Sequence, residues 1–255
     1  MAANPIALFP AGITAAIIDL DGTLVDTLGD FVVALNLMLA DLQLPAVDRA
    51  LVEQLVGKGS EHLIASVLHH VLNTAPALLG HAHTAINLEA SAEVEAQAAR
   101  LWPEAWTSYQ RHYQTINGQH AQVYPGVIDG LQQLQSQGLM LACLTNKPIA
   151  FALPLLKAKG LDGFFSLVFG GDSFERKKPD PLPLRKTCEA LGSLPARTLM
   201  VGDSSNDALA ARAAGCPVLL VSYGYNHGQP ISAVDADGVV DSLADIRLLC
   251  PAARP

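Results

Sequence analysis

At 255 residues the chain is long enough to bury a substantial core, as one large domain or two smaller ones. Half of its residues are hydrophobic, 16% are charged and the formal net charge is -8, a balance that speaks against nonspecific nucleic-acid binding, which needs cationic surface. No stretch has the uninterrupted apolar length of a membrane-spanning helix. The opening MAANPIALFPAGI lacks the basic region of a signal peptide. Cys143, Cys188, Cys216 and Cys250 are too widely spaced to form a metal-binding pair. The expected address is the cytoplasm, with no membrane and no nucleic acid among the partners.

The first element is a buried strand at Ala15-Ala-Ile-Ile18, followed by the string DLDGTLVDT from Asp19 to Thr27. Asp19 and Asp21 point the same way while the extended geometry lasts, and Gly22 allows a conformation that other residues resist. Two carboxylates this close oppose each other's ionisation, so the pattern asks for a cation between them. A plain Asp-Gly turn would need no function. A calcium loop fails, because Gly22 falls at its fourth position and Asp30 stands where the loop needs Glu.

Residues 28–42 read as a helix, and 48–56 as a second with Asp48 as its N-cap. Gly57-Lys-Gly-Ser60 breaks the pattern, and Ser60 is placed to cap a third helix through His70 or beyond. Residues 74–83, with Pro76, Gly80 and two histidines, read as a loop. Residues 91–115 are helical again, and Pro103 predicts a kink or a division into two helices. With no strand signal over 28–120, this stretch reads as a helical insertion.

The second half alternates apolar runs (139–144, 167–169, 198–201, 217–221, 238–240) with helical patterns (127–137, 149–159, 181–191, 207–214), and 251–255 read as a frayed tail. Such alternation implies parallel βαβ units with helices on both faces, and ligands at the carboxyl ends of the strands. Three strand-end runs carry candidate chemistry. Thr145-Asn-Lys-Pro148 suits a phosphate at a helix start, or is simply a capped helix. Arg176-Lys-Lys-Pro-Asp-Pro181 is a basic turn or a solvated surface. In Gly202-Asp-Ser-Ser-Asn-Asp207, Asp203 and Asp207 are four apart and would share a face of a helix beginning there.

Taken in order, DLDGT, TNKP, the lysine before Pro179 and GDSSND resemble the motifs of the haloacid dehalogenase superfamily, specifically its phosphatase branch. The resemblance implies an α/β fold, with a Rossmann-like parallel sheet core over residues 10–27 and 121–250 and an inserted α-helical cap domain over 28–120. It implies a Mg2+-dependent phosphomonoesterase in which Asp19 attacks phosphorus and forms an aspartyl-phosphate. Asp21 would act as general acid and then general base, and Thr145, Asn146 and Lys178 would hold the phosphoryl oxygens. Asp19, the Asp21 carbonyl and Asp203 would ligate the metal, with Asp207 acting indirectly or through water. Dehalogenases differ at the second aspartate, so Asp21 favours phosphoryl transfer.

Further strings, Tyr124-Pro-Gly126, Gly170-Gly-Asp-Ser173, KKPDPLPL and Ser222-Tyr-Gly-Tyr-Asn-His-Gly228, resemble bacterial phosphoglycolate phosphatases. They imply hydrolysis of 2-phosphoglycolate to glycolate and phosphate. A sugar-phosphate phosphatase, a β-phosphoglucomutase-like mutase and a non-catalytic binding protein remain open alternatives. Lys58 is a candidate contact to the substrate carboxylate from the cap. Residues 69–100 are longer than compact caps require, and could reshape the cap or form an oligomer contact. Their histidines, His69, His70, His81 and His83, lack partners at ligand spacing and read as solvated. The expected partner is a small phosphorylated metabolite, bound by a monomer or a homodimer.

Overall fold

The computed structural model describes residues 8–9, 12–74 and 88–248. Its centre is β2 (Ala15–Ile18), four consecutive apolar residues that are all buried. A strand covered on both faces needs no polar alternation, and it belongs inside a parallel sheet. β5 (Met140–Leu144) and β7 (Thr198–Gly202) flank it, with β6 (Leu167–Phe169) beyond β5, and β8 (Val218–Val221) and β9 (Gly238–Val240) beyond β7. The order is β6-β5-β2-β7-β8-β9, and every neighbouring pair is parallel. Ile18 stands level with Cys143 and Val201, so the three central strands end on one rim. A short parallel pair, β1 (Leu8–Phe9) with β10 (Arg247–Leu248), lies apart from this sheet.

The strand period of two sorts the core. Ala16 and Ile18 pack with Leu141, Cys143, Leu199 and Val201 beneath α5 (Val127–Ser136) and α6 (Ile149–Ala158). Ala15 and Ile17 pack with Ala142, Leu144 and Met200 beneath α7 (Leu182–Ala190) and α8 (Ser205–Ala214). The expected α/β core with helices on both faces is therefore present.

The insertion is also helical: α1 (Leu28–Asp41), α2 (Arg49–Leu55), α3 (Ser60–Thr74) and α4 (Leu88–Ile116) bury an apolar cluster of their own. Asp48 caps α2, accepting from the Leu51 N–H at 2.8 Å. Ser60 is the first residue of α3, not the residue before it, and the Gly59 carbonyl accepts the first bond, from Leu63 at 3.1 Å. α3 runs through Thr74, which the sequence placed at the start of a loop; the rest of that expected loop, with His81 and His83, lies outside the described residues.

Pro103 does not divide α4, which is one helix of 29 residues. Val94, Ala98, Ala105, Tyr109, Tyr113 and Ile116 form one buried stripe on both sides of the proline, and packing along it outweighs a local penalty of about 3 kcal/mol. Two features had no signal in the sequence. β3 (Val25–Asp26) and β4 (Gln122–Val123), where the chain enters and leaves the cap, pair antiparallel. Beside them the buried Asp30 carboxylate accepts from the Gly118 and His120 N–H groups, both at 2.7 Å, and staples α1 to the returning chain.

Candidate active site

β2 carries Asp19 onto the rim, where its N–H still donates to the Val201 carbonyl at 2.9 Å. The chain then turns at Gly22 with φ +84°, and a Cβ there would lie 2.1 Å from Asp203 Oδ2. Both the dihedral and the space require glycine. Asp203 leaves the end of β7, and its carboxylate accepts from the Tyr225 N–H at 2.6 Å and the Thr23 hydroxyl at 3.2 Å.

Asp203 and Asp207 meet, but not as neighbours on a helix face. α8 begins at Ser205 after the extended residue Ser204, so Asp203 lies outside the helix. Asp207 folds back over the helix start instead. Its Oδ2 accepts from the Ser204 hydroxyl at 2.8 Å, the Ser204 N–H at 3.2 Å and the Asp203 N–H at 3.3 Å. Its Oδ1 accepts from Lys178 Nζ at 2.7 Å. The same ammonium lies 2.8 Å from Asp19 Oδ1 and donates to the Leu144 carbonyl at 2.8 Å.

Asp19, Asp203 and Asp207 therefore bring three buried carboxylates together, with oxygens within 4.8 Å of one another, and Lys178 pairs with two of them, Asp19 and Asp207. The imbalance shows in their proton affinity. Burial pushes the Asp19 carboxyl up to about 7; Lys178 opposes this, while Asp207 and Asp21 add to it. Asp203 is also held well above the carboxylate range, first by burial and then by Asp207 and Asp19. Burial alone would lower the Lys178 pKa, yet Asp19 and Asp207 carry it above its ordinary value. A buried pocket of hard oxygen donors with too little positive charge fits a divalent cation such as Mg2+.

The other expected residues lie on the same rim with different tasks. Thr145 is buried, and its hydroxyl accepts from the Lys147 N–H at 3.1 Å. The Asn146 carboxamide is committed elsewhere: it accepts from the Lys178 N–H at 3.0 Å and donates to the carbonyls of Lys178 at 2.9 Å and Gly57 at 3.2 Å. Asn146 thus fixes both Lys178 and a cap loop. Lys58 is exposed; its neighbours Gly57, Gly59 and Ser60 line the cavity with Asp19, Asp21 and Lys178, and Lys58 does not. His69 Nε2 lies 3.3 Å from Glu95 Oε2 and His70 is exposed. Among the described residues the carboxylate trio is the cluster of metal-binding size.

Sequence reasoning left two participants without a role. Lys147 Nζ bonds Asp21 Oδ1 at 2.9 Å, with 2% of its side chain exposed. Tyr225 gives its main-chain N–H to Asp203, while its hydroxyl accepts from the N–H groups of Thr27 at 3.0 Å and Leu28 at 3.2 Å and donates to Asp26. Both residues fall inside strings the sequence singled out, but only tertiary packing shows what they touch. The rest of the Tyr225 loop is equally engaged: Asn226 Oδ1 accepts the Ser205 N–H at 2.9 Å, and His227 Nε2 lies 3.3 Å from Asn206 Nδ2.

A sheet rim with these carboxylates, covered by a helical insertion, defines a class, and residues 16–221 match the haloacid dehalogenase-like hydrolase family. The chain belongs to that family. It is 41% identical over 241 residues to a phosphoglycolate phosphatase of Thiobacillus denitrificans, covering 94% of this chain and 97% of that one. It is 42% identical over 241 residues to the plasmid phosphoglycolate phosphatase of Cupriavidus necator, covering 94% of each. The crystal structure of a predicted phosphoglycolate phosphatase from Haemophilus somnus superposes with a TM-score of 0.80 at 32% identity, covering 91% of this chain and 96% of that one.

Proposed function

We propose that the chain is a Mg2+-dependent phosphomonoesterase that hydrolyses 2-phosphoglycolate to glycolate and phosphate through an aspartyl-phosphate on Asp19. The observation that carries this reading is the buried trio Asp19, Asp203 and Asp207, two of them paired with Lys178, with Asp21 beside it on one rim. The substrate is that of relatives about 40% identical over nearly the whole chain.

In the first step an Asp19 oxygen bonds to phosphorus as the ester P–O bond breaks, and Asp21 gives its proton to the departing glycolate oxygen. In the second, Asp21 takes a proton from water, whose oxygen bonds to phosphorus while the Asp19–phosphorus bond breaks and phosphate leaves. Lys178, the Thr145 hydroxyl and the Asn146 main-chain N–H hold the phosphoryl oxygens. The Asp19 and Asp203 carboxylates and the Asp21 carbonyl are the groups that would hold Mg2+, with Asp207 fixing Lys178 and the Asp203 main chain. The bound ion supplies positive charge for the carboxylates and the phosphoryl oxygens.

Residues 10–27 and 121–250 act as the catalytic core, and 28–120 as a cap that shields the aspartyl-phosphate from bulk water. In this reading Gly57, Gly59 and Ser60 bring the cap to the substrate, and Lys58 reaches its carboxylate only by moving inward. The buried free thiols of Cys143, Cys188 and Cys216 suit a reducing cytoplasm.

The test is phosphate release from a panel of small phosphate esters, with Mg2+ and with chelator, for wild type and Asp19→Asn. Release led by 2-phosphoglycolate and abolished by both controls is expected. A sugar phosphate leading the panel would overturn the substrate, and isomerised sugar phosphate without free phosphate would indicate a mutase.

A further inference from the structure

Lys147 belongs to the strand-end run 145–148, yet the chemistry above gives it no task. Its main chain is part of the sheet rim, where its N–H donates to the Thr145 hydroxyl and its carbonyl accepts from the Gly171 N–H at 2.8 Å. Its ammonium reaches out of that rim to Asp21 Oδ1 at 2.9 Å, and lies 4.6 Å from the Phe31 ring centroid and 4.9 Å from that of Tyr113. Phe31 is on α1 and Tyr113 on α4, both in the cap. The two rings are stacked, 5.5 Å apart and inclined by 14°. Ordering and desolvating a lysine this completely is unfavourable unless the ammonium is paired. The aromatic faces supply the attraction that water would otherwise provide.

We propose that Lys147 is a positioning residue for Asp21, and that the aromatic pair of the cap completes its seat. This rests on the phosphatase reading, in which Asp21 is the general acid and base. Lys147 holds Oδ1, so the proton exchanged with the leaving oxygen and with water is carried on Oδ2. Because the seat is built from α1 and α4 while Lys147 and Asp21 come from the core, Asp21 is fully oriented only when the cap lies over the rim. Cap closure and acid–base catalysis are thereby joined through one side chain.

The reading predicts a dependence on the leaving group. An alkyl phosphate needs its departing oxygen protonated; p-nitrophenyl phosphate leaves well without help. In Lys147→Met, kcat/KM, which reports only the steps up to departure of the leaving group, should fall about 100-fold with an unactivated alkyl phosphate lacking a carboxylate, the scale of a misplaced general acid, and less than about 5-fold with p-nitrophenyl phosphate. Phe31→Leu should lose less in the same direction, and Lys147→Arg should recover part of the alkyl phosphate rate. Equal losses with both esters would overturn the assignment. So would a loss confined to 2-phosphoglycolate, which would make Lys147 a substrate contact.

A second readout is independent of turnover. In wild type, ring currents from Phe31 and Tyr113 should shift the Lys147 ε-methylene protons upfield, and Asp21→Asn should move them. If wild type hydrolyses no ester, the phosphatase reading falls while these resonances still decide the pairing. Unshifted resonances, or resonances indifferent to Asp21→Asn, would overturn it.

Discussion

Asp19→Asn removes the proposed nucleophile, and the structure predicts that the metal-free protein becomes more stable as a result. The Asp19 carboxyl is pushed from 3.8 to about 7 by its burial beside Asp207 and Asp21, with Lys178 only partly compensating. A tenfold change in proton affinity corresponds to about 1.4 kcal/mol, so ionised Asp19 opposes folding by about 4 kcal/mol above neutral pH. The sign follows from a folded-state pKa above the unfolded value. The cost is absent below about pH 4, grows between about 4 and 7, and is complete above that. Asparagine carries no charge at any pH and leaves Lys178 with Asp207 and the Leu144 carbonyl. Urea denaturation in chelator should therefore find the variant more stable by about 1–2 kcal/mol at pH 5 and by about 4 kcal/mol at pH 8. Saturating Mg2+ should narrow the gap at pH 8, because the cation supplies the missing positive charge. A gap that is flat with pH, or a variant less stable than wild type at pH 8, would refute the reasoning.

Three other outcomes follow from the same geometry. Gly22→Ala places a Cβ 2.1 Å from Asp203 Oδ2 at φ +84°; it should cost about 2 kcal/mol in denaturant melts and abolish the Mg2+-dependent increase in melting temperature. With Asp19 and Asp203 both raised, bound Mg2+ competes with protons, so the Mg2+-induced rise in melting temperature should be larger at pH 8 than at pH 6. Pro103 is exposed inside a continuous helix, so Pro103→Ala should stabilise by up to about 3 kcal/mol, read as a higher urea midpoint at unchanged slope.

The strands were legible because burial on both faces leaves a plain apolar run, as at 15–18 and 218–221, and the rim residues follow directly from the strand ends. The family was legible because DLDGT, TNKP and GDSSND keep their order. The division into two helices at Pro103 does not occur, because local propensity sees only the lost N–H, whereas α4 is held by a stripe packed on α1 and α3. Asp207 misled because spacing four suggests one helix face; a cap at Ser204 moves the helix start and turns the same carboxylate into the group that binds the helix N-terminus and Lys178. Asn146 and Lys147 could not be apportioned from the string alone. Neighbours in sequence, they part at the rim, one bonding Lys178 and Gly57 and the other crossing to Asp21 and the cap aromatics. Such partners are set by the closure of the cap, which no local pattern records. The pairing of β3 with β4 escaped for a similar reason, since two residues per strand carry no periodicity.

Covalent chemistry at Asp19 is read directly by mass spectrometry of acid-quenched enzyme taken during turnover of 2-phosphoglycolate with Mg2+. A phosphoryl group on the peptide containing Asp19, absent in Asp19→Asn, is the expected result. Rapid phosphate release with no phosphoryl group on Asp19 at any quench time, or with that group on another residue, would contradict it.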